Sequence, residues 1–243
     1  MSACEPDYRF DPVQRVTLQL TEGSWPFAAE NQAEIAAHWQ GMTTANPALF
    51  NGNLLLMVSG GLSNGLFSAD LIEVDYASFI TWRDWGWCDK SVHDCYGCAV
   101  LVSSDGALVM GRMGAHTVNG GKVYPPGGSL NREDLRAGGQ VDLAASIARE
   151  LHEETGLAAS EAEADGFYMV SSDQRIAIGQ VLRFNEDAEA LAARIQQHIS
   201  SEAQPELSEV IIMRHADDVD PRKMPPHARA FSSVMLENAP AAR

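Results

Sequence analysis

The chain has 243 residues, enough for one or two domains with proper cores. Its 17 Lys and Arg against 33 Asp and Glu give a formal charge of −16, which disfavours binding a nucleic-acid polymer through a broad basic surface. No run of about 20 apolar residues occurs and "MSACEPDYRF" lacks a signal-peptide pattern, so no membrane segment is predicted and a cytoplasmic protein is expected.

In chain order, "RVTLQL" (15–20) reads as a strand, and "NQAEIAAHWQGM" as a helix with Ile35, Trp39 and Met42 at helical spacing. "NLLLMV" and "LIEVDY" read as strands, and "ASFITWRDWGW" begins as a helix rich in tryptophan. These tryptophans are expected to pack between domains. No repeat or low-complexity linker separates this region, and residues 1–93 are expected to form an N-terminal α+β extension.

Cys4, Cys88, Cys95 and Cys98 admit two readings. Cys95-x2-Cys98, with Cys88 and His93 nearby, has the spacing of a zinc site. Alternatively, Tyr96, Cys98, Val100 and Val102 alternate along one strand face, which makes Cys98 a core residue.

"YGCAVLVSSDGALVMGRM" (96–113) predicts two strands around a turn at Asp105-Gly106, and "KVYPPGG" a short strand entering a glycine loop. A helix over 142–155 follows, then strands at "GFYMVS" and "RIAIGQVLRF", a helix over 186–201, a strand at "SEVIIMR" and a last helix in "PPHARAFSSVMLE". The order β-β-β-loop-α-β-β-α-β predicts a mixed sheet between helices, an α/β domain over 94–243.

The helix over 142–155 carries the strongest signal. In "RELHEETGL" (149–157), Glu150, Glu153 and Glu154 fall within five positions. Carboxylates three and four apart on a helix repel. At 100° per residue, Leu143, Ile147 and Leu151 draw the apolar stripe, and Glu150 and Glu154 continue it. Glu153 sits at its margin, with Arg149 and His152 toward solvent. Partly buried carboxylates need a positive partner, and a hard divalent cation suits an all-oxygen set. The spacing therefore reads as a metal site, against the alternative of a solvated acidic face.

Those nine residues resemble the second half of the Nudix box, R-E-U-x-E-E-x-G-U with U aliphatic. The first half, G-x5-E-x7-R, is altered. Gly128 precedes Arg149 by 21 positions instead of 14, which fits an insertion of seven within "SLNREDLRAGGQV" (129–141). Val141 stands where the box glutamate belongs. Asp142, one step away, reads as the helix N-cap, and Glu133 lies six after Gly127.

The resemblance implies an α/β/α sandwich and hydrolysis of a nucleoside diphosphate linked to another moiety. It implies Mg²⁺ or Mn²⁺ held by Glu150, Glu153 and Glu154, with Glu153 orienting or deprotonating water and Arg149 pairing with a box carboxylate. Gly127 and Gly128 would let the backbone face metal and substrate. Arg112, and the basic group Arg214, Arg222, Lys223, His227 and Arg229, are candidates to meet a substrate phosphate. "HWQGMTTANPALFNGNLLLM" (38–57) is similar to the N-terminal extension of Nudix enzymes that cleave UDP-glucose and UDP-galactose, which tilts the expectation toward a nucleotide sugar. A coenzyme A or ADP-ribose diphosphatase, or a non-catalytic Nudix-fold nucleotide sensor, stays open. The expected partner is a small nucleotide, with neither nucleic acid nor membrane, and homodimerisation is left open.

Overall fold

A computed structural model describes residues 8–237. Two compact units emerge, and the chain crosses between them repeatedly. One comprises the N-terminal stretch through Val13, Tyr96–Gly128 and everything from Ala144 on; the other comprises Gln14–Cys95 and Ser129–Leu143.

The first unit is built on one sheet. Its strands are β1 (Arg9–Val13), β5 (Asp94–Val102), β6 (Leu108–Met113), β7 (Val123–Tyr124), β8 (Gly127–Ser129), β10 (Ala162–Ser172), β11 (Arg175–Phe184) and β12 (Leu207–Met213). The main order is β1-β10-β11-β5-β6-β12, with β7 beside β6 and β8 beside β5. Nearly every residue of β5 and β6 is buried, so both sheet faces are covered. Cys98, Val100, Val102, Leu108 and Met110 pack with Ala228 and Phe231 of helix α6 (Pro226–Glu237) on one face. Helix α5 (Ala188–Ser201) packs on β6 and β12, and its buried Leu191, Ile195 and Ile199 stay out of that cluster. Helices thus lie on opposite faces, an α/β/α arrangement. Helix α4 (Leu143–Thr155) carries the box.

The second unit has a four-stranded mixed sheet in the order β3-β4-β2-β9: β3 (Asn53–Ser63), β4 (Leu66–Asp75), β2 (Arg15–Leu20) and β9 (Gln140–Val141). β2 runs parallel to β4 and antiparallel to β9. Helices α1 (Pro26–Glu30), α2 (Gln32–Ala45) and α3 (Tyr76–Asp84) complete it.

Two sequence expectations are corrected. The tryptophans do not serve a domain boundary: Trp25 and Trp82 are buried with Phe27, Ile35, Leu54, Ile72 and Phe79 in this unit's own core, with Trp39 and Trp87 against it. A unit this small needs large aromatic side chains to bury enough area. The boundary at residue 93 also gives way, because β1 belongs to the first unit's sheet, where it pairs with β10 in the register Phe10↔Val170. Residues 129–141 form two 3-10 turns and β9, which joins the N-terminal sheet at Leu18↔Val141.

The cysteines take the core reading. Cys98 lies in the core cluster of the first unit's sheet, and Cys95 and Cys98 are both 1% exposed, with burial pushing both thiols up. Cys88 is exposed, and Cys4 lies outside the described residues. Among the described residues no helix is long and apolar enough to cross a membrane.

Leu130 fixes the inserted segment. Its side chain is fully buried, and its carbonyl accepts the Leu55 N–H at 2.8 Å. Leu130→Ala is expected to cost about 2–5 kcal/mol, read from urea unfolding. An unchanged midpoint would show that the segment is dispensable to the core it joins.

Candidate active site

The strand–turn–helix around the box places the glutamates. The Pro126 carbonyl accepts the Ala99 N–H at 2.7 Å, which ties the glycine turn to β5. A Cβ on Gly127 would lie 2.3 Å from the Gly97 carbonyl oxygen, and one on Gly128 would lie 2.5 Å from the Glu150 carboxylate. Only glycine lets the turn pass this closely between β5 and α4.

The helix wheel is realised in burial. Leu143, Ile147 and Leu151 are buried, and Glu154 continues their stripe at 5% exposure. The Glu150 side chain is 15% exposed, while that of Glu153 is 56% exposed. Glu154 Oε1 accepts the Gly127 N–H at 2.8 Å, and its Oε2 is buried with no hydrogen-bond partner among the described residues. Arg149 Nη1 lies 2.8 Å from Glu150 Oε1 and 3.1 Å from Glu153 Oε2. The guanidinium bridges the two carboxylates.

Burial raises the Glu150 carboxyl to about 7, with Arg149 pulling down and Glu153 pushing up. Burial likewise holds Glu154 well above the carboxylate range, and the Gly127 N–H only partly offsets it.

A fourth carboxylate belongs to the cluster. Glu206, immediately before β12, is raised by burial and by the Glu153 charge, and itself acts on Glu150 and Glu154. His116, on the turn between β6 and β7, lowers it. That turn is anchored where Gly114 donates its N–H to the Glu206 carbonyl at 2.7 Å. Neither residue carries a signal in the sequence beyond a charge at a strand end; only the pairing of β12 with β6 brings them in.

The basic candidates separate. Arg112 pairs with Glu209 at 2.6 Å, its register partner on β12, and Arg222 with Asp220 at 3.1 Å. Neither of these ion pairs includes a box glutamate. Arg214 bridges Asp105 and Glu189, a clasp between the β5–β6 turn and α5. Burial lowers His227 to about 3, so it is neutral and cannot serve as a phosphate-binding cation; Tyr96 Oη lies 2.9 Å from its Nδ1. Arg229 sits half-buried in the first turns of α6. The segment is nonetheless tied to the strand that leads into the glycine turn: Val123 donates its N–H to the Lys223 carbonyl at 3.0 Å, and Lys122 Nζ to that of Arg222 at 3.1 Å.

Among the described residues, no three His, Cys, Asp or Glu side chains stand close enough to hold an ion in common. The chemistry of the donors nevertheless fits a hard divalent cation. A buried carboxylate oxygen without a partner faces a cluster of mutually repelling carboxylates, all oxygen ligands.

No protein-family model matches the sequence, and no curated protein does. Solved structures do match. The MutT protein from Methanosarcina mazei Go1 is similar at 17% identity and a TM-score of 0.39, over 60% of this chain and 94% of that one. A MutT NUDIX hydrolase from Burkholderia pseudomallei is similar at 14% and 0.36, over 58% and 95%. A bifunctional NMN adenylyltransferase/ADP ribose pyrophosphatase from Francisella tularensis, solved with AMP and a manganese ion, is similar at 16% and 0.45; the match spans 65% of this chain and only 45% of that one. The structural neighbours are Nudix hydrolases, at low identity.

The Nudix-like helix can be tested without turnover. The Glu150 carboxyl lies at about 7 in the folded chain against an ordinary 4.5, so the folded state keeps a proton that the unfolded state releases. The associated stability is full below pH 4.5 and is lost as pH rises through about 7. Glu150→Gln removes that loss, so in chelator the variant should gain on the order of 2–3 kcal/mol over the parent between pH 5 and 8. Denaturant unfolding at each pH measures it, and parallel profiles would refute the burial of this charge.

Proposed function

We propose that the protein is a Nudix-type hydrolase of phosphoric anhydride bonds that depends on Mg²⁺ or Mn²⁺. Its substrate would be a nucleoside diphosphate linked to another moiety, with nucleotide sugars as the first class. The observation that carries this reading is Glu154, a buried carboxylate with one oxygen committed to the glycine turn and the other without a hydrogen-bond partner. The N-P-A-L-F-N-G segment at 46–52 supports the choice of substrate class. Coenzyme A and ADP-ribose are the alternatives within the same chemistry.

Glu150, Glu153 and Glu154 would hold the ion, with Glu206 beside them. When bound, a divalent ion supplies charge for the diphosphate oxygens and lowers the pKa of water. The remaining work falls to the chain. Glu153, the most exposed of the three, can swing to orient the attacking water and take its proton onto the carboxylate. Arg149 holds Glu150 and Glu153 in line on one edge of α4. Gly127 and Gly128, closed against β5 and Glu150, would hold the turn's backbone beside the carboxylates, where the diphosphate would lie. Arg112, Arg222 and Arg229 are the candidates to meet its phosphates, each by leaving or sharing a present contact.

Purified protein with Mg²⁺ is to be screened against UDP-glucose, ADP-ribose, coenzyme A, dinucleoside polyphosphates and nucleoside triphosphates. Activity should disappear in chelator and return with Mg²⁺ or Mn²⁺. Glu153→Gln should lower kcat about 1000-fold, or about 4 kcal/mol of transition-state stabilisation, while the folded state survives. Full turnover in chelator would end the metal reading, and a nearly normal Glu153→Gln would end the assigned role. Nucleotide binding without product would identify a sensor.

A further inference from the structure

The last turn of α4 is held from outside the helix. The final carbonyls of an α-helix lack partners within it. Here the His152 carbonyl accepts the Gly156 N–H, just past the helix end, at 2.8 Å. The Glu153 carbonyl is served by a side chain. His198 Nε2 reaches it from α5 at 3.0 Å. A carbonyl can only accept, so the contact requires the tautomer with a proton on Nε2. Glu202 Oε1, one turn further along the chain, lies 3.4 Å from the same nitrogen.

Space for this contact comes from the box itself. Gly156 has φ +71°, and a Cβ there would lie 2.8 Å from His198 Nδ1 and 2.9 Å from its Cγ. The glycine both reverses the chain after α4 and admits the ring. Burial does not account for His198: Leu191, Ile195 and Ile199 already dock α5, whereas the His198 side chain is 24% exposed.

We infer that His198 is a positioning residue for the box carboxylates. Its Nε2–H, seated on the Glu153 carbonyl over Gly156, sets the last turn of α4 and with it the aim of Glu153 and Glu154. This rests on the proposed function, because the aim matters only if those carboxylates bind an ion and act on water. A misplacement of about 1 Å at a reacting group can cost on the order of 100-fold in rate.

The test uses the full chain with His198→Ala, His198→Phe and His198→Gln, and Ile199→Ala as a packing control. Mn²⁺ binding is followed by the electron paramagnetic resonance of free Mn²⁺, kcat and KM are measured on the best substrate of the screen, and Tm is recorded. His198→Ala and His198→Phe should each weaken Mn²⁺ binding and lower kcat by about tenfold or more, with KM within about twofold. Phenylalanine keeps a ring beside Gly156 without the donor, so it separates the hydrogen bond from the packing. Glutamine offers an N–H of similar reach and should recover most of both losses. Ile199→Ala should lower Tm at least as far while leaving Mn²⁺ affinity within about twofold. Unchanged Mn²⁺ affinity in His198→Phe, or losses shared equally by Ile199→Ala, would overturn the inference. A parent chain that neither binds Mn²⁺ nor turns over any substrate would instead overturn the proposed function, and the role of His198 with it.

Discussion

A carboxylate cannot be taken out of water cheaply, and Glu154 is 5% exposed. An unpaired buried charge costs several kcal/mol, so its surroundings must either keep it protonated or supply positive partners. One partner is the Gly127 N–H. That bond makes the glycine turn and the end of α4 a single object: the turn cannot shift without stranding the carboxylate, and the helix cannot rotate without losing the turn. The absence of side chains at Gly127 and Gly128, the stripe of Leu143, Ile147 and Leu151, and the docking of α5 all serve this one closure.

The cluster is also a store of protons. Glu150, Glu154 and Glu206 all titrate above the ordinary carboxylate range, chiefly because they are buried. A cation that engaged them would have to displace those protons, so binding would strengthen as pH rises. Arg149 limits the effect by neutralising part of the cluster from within. A guanidinium suits this role because it stays charged throughout and spans two carboxylates.

How far the sequence disclosed this follows from the range of each signal. The glutamate edge of α4 was legible because helical periodicity is local, and Glu150 and Glu154 lie on the buried stripe where the wheel put them. Most strand and helix positions were legible for the same reason. What escaped depends on non-local pairing. Residues 9–13 carry no clear alternation, and only the free edge of β10 makes them a strand. Glu206 joins the cluster through the β12–β6 register, which no spacing encodes. The tryptophans were read as a boundary because aromatic residues suit interfaces and cores equally, and sequence offers no way to tell which surface they meet. His198 carries no signal in the sequence, because the carbonyl it serves is 45 residues away.

The route of the chain has a consequence for synthesis. The N-terminal unit lacks its fourth strand and the Leu130 anchor until Ser129–Leu143 has been made. The first strand of the other sheet must wait still longer, for β10, at Ala162–Ser172. Neither unit can therefore finish before the ribosome has passed Leu143, and no single cut yields either one whole. Folding must close both loops late, so an open edge of β2 and an unpaired β1 are what a chaperone would meet first.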